Sequence, residues 1–142
     1  MNLFTLFCFS AMLLFSPFKA EEIHVIKVTI NGLKNSEGTV YYSLFNNAEG
    51  FPENPLKAFR IGTLKINNKS AQITFSNIPK GDYGFACFHD ANENKELDKN
   101  MFGYPLESFG TSNNAKGTFG PPSFADAKIT VNKNTTLTIT VY

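Results

Sequence analysis

An all-β sandwich of about seven strands, Ig-like or transthyretin-like, is what this sequence predicts. Three observations lead there. Apolar and polar residues alternate with period two through most of the chain, and no long stretch carries helical spacing. Short alternating runs are separated by clusters of Gly, Asn and Pro, which are turn formers. Fifteen Phe and five Tyr with no Trp suit a pleated, half-buried surface.

The first segment is set aside before the strands are assigned. Residues 3–15, LFTLFCFSAMLLF, form a charge-free apolar run of signal-peptide length, too short and too early for a membrane span. Residues 1–20 are therefore expected to be a leader cleaved after Ala20. The mature domain is then 21–142, starting at Glu21-Glu22, exported to the periplasm or the outside, with no transmembrane segment. Removing Lys19 leaves 12 basic and 12 acidic residues, so the mature chain has no formal charge at pH 7. That balance, with no Lys/Arg run, excludes the electrostatic footprint of a nucleic-acid binder. Cys8 lies in the leader, so Cys87 is alone and the domain is not disulfide-stapled.

The strands follow in order. Residues 22–31 place His24, Ile26, Val28 and Ile30 on one face, and Gly32 with Asn35–Gly38 turns the chain. In 39–45, Val40, Tyr42 and Leu44 share a face. Residues 58–66 form a strand with Gly62 as an expected bulge, and Asn67-Asn68 is expected to close a hairpin onto 70–76. Residues 82–89, DYGFACFH, are the most apolar and are expected at the centre. Tyr83, Phe85 and Cys87 line one side, and the smaller Gly84 and Ala86, with Phe88, line the other. The last hairpin is expected from 126–131 and 135–142 around Asn132-Lys133-Asn134.

Between the central strand and that hairpin, 91–125 is an excursion whose length normally signals function. Its Leu97, Met101, Phe102, Tyr104, Leu106, Phe109, Phe119 and Phe124 are expected to form a small core of their own, with a short helix near 96–101. Tyr104, Phe109 and Phe119 as an aromatic platform for sugar or peptide is the sharper alternative.

The excursion begins with the one stretch that carries chemistry, FHDANENKELD (88–98). Asp90, Asn92, Asn94, Glu96 and Asp98 fall at alternate positions, the arrangement by which a chain wraps oxygen donors around Ca²⁺. Glu96 occupies the position that usually gives a backbone carbonyl. Lys95 stands where a glycine is usual and Met101 where a bidentate acid is usual, so Glu107 is the candidate to complete the shell. Few carboxylates imply a weak site, with Kd roughly 10⁻⁴–10⁻³ M. An Asx-rich structural turn without metal accounts for the same pattern, because Asp and Asn side chains bond to nearby backbone. A third reading makes His89, with Asp90 or Glu107, the centre of a small hydrolase or lyase. Against it, neighbours on a strand point to opposite faces, G-x-S-x-G is absent, and His24, Cys87 and His89 lack zinc-site spacing.

From 78 to 127 the chain resembles the bacterial exported family known as domain of unknown function 2141. The residues that carry the resemblance are Gly81/Tyr83, His89–Asp98, Gly103/Pro105/Glu107, Gly110/Ser112/Asn113/Asn114 and Pro122/Phe124/Ala127. It implies an exported β-sandwich with no known activity, and it groups Glu107 and Ser112–Asn114 with the acidic loop. The sequence therefore predicts a non-enzymatic binding or accessory module whose partner is an envelope protein or a glycan. Mass spectrometry of the exported protein is expected to find Glu21 at its amino terminus; a retained Met1 would remove the leader assignment.

Overall fold

The computed structural model describes residues 20–142, so the expected leader, Ala20 apart, lies outside the described residues. Eight strands follow one another: β1 Ile23–Asn31, β2 Thr39–Phe45, β3 Arg60–Leu64, β4 Ala71–Pro79, β5 Gly81–Asp90, β6 Phe109–Thr111, β7 Ile129–Val131 and β8 Thr135–Thr140. They build the two sheets of a β-sandwich. One has three strands in the order β4-β1-β8; the other has five, ordered β3-β2-β5-β6 with β7 also on β5. The additional strand, β6, lies inside the excursion. Three residues between Ser108 and Ser112 are too few to show a period in sequence.

Alternation places the core as expected. Ile26, Val28 and Ile30 of β1 are fully buried, as are Val40 and Leu44 of β2. Tyr83, Phe85 and Cys87 of β5, in the same sheet as β2, join them in one core against β1 of the other sheet. Tyr42 stacks on Phe85 with ring centroids 6.0 Å apart and meets the edge of Phe75 at 5.4 Å. His24 does not continue the buried row, because the β1–β4 register shifts between His24 and Ile26. Gly62 is not a bulge: β2 and β3 pair without interruption from Val40↔Leu64 to Leu44↔Arg60. It makes room for the tyrosine opposite, since a Cβ there would lie 2.6 Å from the Tyr42 hydroxyl oxygen.

The local turns form, but they do not make the expected hairpins. Asn68 and Lys69 take φ of 50° and 59°, closing the Asn67–Ser70 bridge. Beyond that bridge, β3 pairs with β2 and β4 with β1. Likewise, β7 pairs antiparallel with β5 while β8 runs parallel to β1. In both cases a short link carries the chain from one sheet to the other. Period-two patterning reports which face is buried and is silent about which strand lies alongside. The expected helix at 96–101 is replaced by bends and the Lys99–Pro105 bridge, and the one α-helix among the described residues, α1, is Phe124–Ala127. The Ser123 hydroxyl caps it by accepting from the Asp126 N–H, so β7 starts later than expected.

Core and excursion aromatics are expected to separate in a stability series. Phe85, fully buried, should cost about 3–5 kcal/mol as Phe85→Ala. Phe119, fully exposed, should stay within about 0.5 kcal/mol as Phe119→Ala. Urea unfolding of both variants checks this.

Candidate functional site

The acidic loop grows from the last residue of β5. Asp90 is fully buried, and its position is fixed by close packing of Gly38 against its backbone. Gly38 has φ of 70°, and a Cβ there would lie 2.1 Å from the Asp90 carbonyl oxygen, so only glycine fits. The Asp90 carboxylate turns into the loop and accepts the N–H groups of Asn94 at 3.2 Å and Lys95 at 2.8 Å. Asn92 Oδ1 accepts the Asn94 N–H, and Asn94 Oδ1 accepts the Glu96 N–H. Each is an Asx turn two residues long. Lys95, standing at the usual glycine position, takes φ of 69°. The tight turn is therefore made despite the side chain.

The winding brings the alternating side chains to a common point. Asn92 Nδ2 donates to Asp98 Oδ2 at 2.6 Å, and Asn94 Nδ2 donates to Asp98 Oδ1 at 2.8 Å. Glu107 closes the loop from outside: its oxygens accept the Ala91 N–H at 3.0 Å and the Asp98 N–H at 3.2 Å. One carboxylate thus holds both ends of the loop. The Glu96 side chain is exposed and makes no hydrogen bond. Asp90, Asn92, Asn94 and Asp98 are brought together, with Glu107 bracing them and Glu96 pointing away.

Among the described residues, no three His, Cys, Asp or Glu side chains gather as a metal-ligand group. The donor set of the loop is of another kind: one buried carboxylate, two amides and a second carboxylate, all offering hard oxygen. Turning the two terminal amides over would replace the NH₂ groups that face Asp98 with oxygens, at the cost of the Asn94 and Glu96 N–H bonds that the amide oxygens now accept. That set fits Ca²⁺, which takes carboxylate and amide oxygens, and does not fit a thiolate- or imidazole-seeking metal.

The histidines and the cysteine are placed away from such chemistry. His89 is buried, and its Nε2–H donates to the Glu37 carbonyl at 2.7 Å. Neither Asp90 nor Glu107 bonds to it, so the dyad that a hydrolase or lyase would need is not assembled. His24 sits half-buried at the start of β1. Burial pushes the Cys87 thiol up to about 12, against the smaller opposing effect of the Gly110 N–H. Such a thiol is no nucleophile at neutral pH.

The family of the chain is settled over most of its length. The model of a family described as "Uncharacterized protein conserved in bacteria (DUF2141)" matches residues 28–139. The chain belongs to this family. No curated protein and no solved structure matches it.

Within the DUF2141 match, the Ser112–Asn114 segment makes a second network, with partners different from those of the acidic loop. One edge of β5 pairs with β7 at Gly81–Tyr83 and with β6 at Ala86–Phe88. Phe85 falls in the gap between them. There the fully buried Ser112 hydroxyl accepts the Phe85 N–H at 2.9 Å and donates to the Ala127 carbonyl. Asn113 Nδ2 donates to the carbonyls of Asp126 and Lys128 at 3.1 and 2.9 Å. Asn114 Oδ1 accepts the Thr140 N–H at 2.8 Å. Both asparagines have positive φ, which Asn tolerates better than most residues. Sequence reasoning gave this segment no role of its own. Its signal was a polar triplet beside Gly110 where no strand pattern called for a turn.

The excursion lacks the small core expected of it. Met101, Phe102, Tyr104, Leu106 and Phe119 are exposed, while Leu97, Phe109 and Phe124 are half-buried. Phe124 is the residue that closes a second layer: with Phe51 it covers Gly84, where a Cβ would lie 3.0 and 2.9 Å from the two rings. Hydrogen bonds shape the rest. Leu106 N–H donates to the Asp98 carbonyl at 2.7 Å, and Asn100 Oδ1 accepts from Phe102 and Tyr104 N–H. Lys99 also forms an ion pair with Glu53.

Ser112→Ala leaves a buried N–H and a buried carbonyl without partners. It should lower stability by about 2–4 kcal/mol, read from denaturant melts. Ser112→Gly is expected to lose as much or more, and a neutral result in both would show that water fills the gap in β5 without cost.

Proposed function

We propose that the chain is an exported, non-enzymatic binding or accessory module whose excursion is braced by Ca²⁺ in the loop 90–98. The observation that carries this reading is the convergence of the Asn92, Asn94 and Asp98 side chains above the buried Asp90, with Lys95 held at positive φ by the Asp90 carboxylate. A loop wound in this way has its backbone path set before the ion arrives, so binding need not repay the entropy of winding it and asks only that the two amides turn over. Asp90, Asn92, Asn94 and Asp98 would hold the ion, and Glu107 would position the loop through its backbone. The ion would supply charge neutralisation for two carboxylates close together and thereby stiffen the start of the excursion.

Burial of His89 against the Glu37 carbonyl supports the non-enzymatic part of this reading. The apolar leader run 3–15 supports export. The completeness of the hydrogen bonding favours a second reading, a purely structural Asx lock. Each oxygen of Asp90, Asp98 and Glu107 already has an N–H partner.

Calcium titration by calorimetry, with melting in EDTA and in calcium, separates the two. For a Kd on the order of 10⁻⁴ M, 10 mM Ca²⁺ should stabilise the fold by about 2.7 kcal/mol. Asp98→Asn should shrink that stabilisation while leaving the EDTA melt within about 1 kcal/mol of wild type, because its side chain bonds only to exposed amides. No binding heat and no calcium-dependent shift would leave the Asx lock as the role of the loop.

A further inference from the structure

The excursion roofs a cleft over the outer face of the five-stranded sheet, with a volume of about 1060 Å³. Pairing registers define its floor as two rows across four strands. Thr63, Tyr41, Phe88 and Phe109 make one row, in which Tyr41 and Phe88 stack with centroids 5.3 Å apart. Ile61, Ser43, Ala86 and Thr111 make the other, which is of smaller side chains. A wall of rings beside a row of small residues is a trough, and four strands make it roughly 14 Å long. Phe102, Tyr104 and Phe119 of the excursion line the same space while remaining exposed. That much apolar surface left in water on one concave face marks a binding site.

The lining also selects the chemistry. It contains no Asn, Gln, Asp, Arg or His, and of its two carboxylates, Glu53 and Glu96, the first is taken by Lys99, so little is left to pair with the ring of hydroxyls on a sugar. The Thr111 hydroxyl on the floor is already donated to the Ala115 carbonyl. Charge is confined to a few lining residues. Lys99 is neutralised by Glu53, and Lys95 is followed by Glu96 on the same wall, so that stretch carries no net charge, whereas Lys116 has no carboxylate partner among the described residues and no acid beside it in the lining. Its Nζ lies 4.1 Å from the centre of the Tyr142 ring, which packs at 4.5 Å on Phe109 at the β6 end of the aromatic row. The floor of the trough is thus apolar along its length, the charges of the excursion wall balance, and Lys116 leaves a net positive charge at the β6 end.

We propose that this cleft binds an unbranched acyl chain with an anionic head, a medium- or long-chain fatty acid. The tail lies along the trough from β6 towards β3, and the carboxylate meets Lys116. This goes beyond the calcium reading: the hydrogen bonds described above already hold the excursion in place, so the cleft does not require the ion.

Titration calorimetry with sodium dodecanoate tests the assignment, in buffer free of divalent cations so that calcium soaps do not form. Saturable one-to-one binding is expected, weakening about fourfold for each methylene removed towards octanoate. Lys116→Gln should weaken dodecanoate severalfold and leave the uncharged dodecanol unchanged. Ser43→Phe, which fills the small row, should abolish both. The wild-type chain-length series stands alone if that variant does not fold. Absence of saturable dodecanoate binding to the wild type, or binding equal in wild type and Lys116→Gln, would overturn the proposal. Neither result bears on the calcium titration, which is read without fatty acid.

Discussion

Strand β5 cannot leave its backbone polar groups unpaired, and the rest of the five-stranded sheet is arranged around that demand. Its core-facing residues Tyr83, Phe85 and Cys87 are buried, so water cannot serve the adjacent N–H and C=O groups. One edge is simple, because β2 pairs with it from Gly84 to Asp90. The other is covered in pieces: β7 at the start, β6 towards the end, the Ser108 carbonyl at His89, and the Ser112 hydroxyl at Phe85 between β6 and β7. All four pieces come from residues beyond Asp90. The long excursion is therefore the route by which the chain returns to the strand it has just left, rather than an ornament on a finished sandwich.

That route is held by polar contacts at its two ends. At the beginning, Asp90, Asp98 and Glu107 accept N–H groups across the acidic loop. At the far end, Ser112, Asn113 and Asn114 tie β5, the lead into β7, and β8 together. Because the ends are pinned this way, the aromatic side chains between them are not needed to organise the loop. They stay exposed above the outer face of the sheet, and this freedom gives the cleft its apolar character.

The proposed export, calcium site and acyl ligand are physically compatible and do not depend on one another. Free calcium outside a cell is compatible with a weak, carboxylate-poor site. The balanced charge of residues 21–142 leaves no long-range attraction to anionic polymers. Buried His89 is bonded to the Glu37 carbonyl, and burial pushes the Cys87 thiol up to about 12.

The sequence by itself determined the β class, the buried face of each long strand, the place of β5, and the winding of 90–98. Each of these is written in local spacing: period two for β1 and β5, alternate Asp and Asn for the loop. Strand partners were decided only in three dimensions. The turns at Asn68 and Asn132–Asn134 look like hairpin turns in sequence, yet each link joins strands of different sheets. Pairing depends on which edge is still free when the sandwich closes, and no local pattern records that. The same holds for β6 and Ser112, whose roles exist only because a gap opens opposite Phe85. It holds equally for Phe102 and Phe119, which composition alone places in a core. The tertiary structure leaves them in water because hydrogen bonds, not apolar contacts, fix the path of the chain around them.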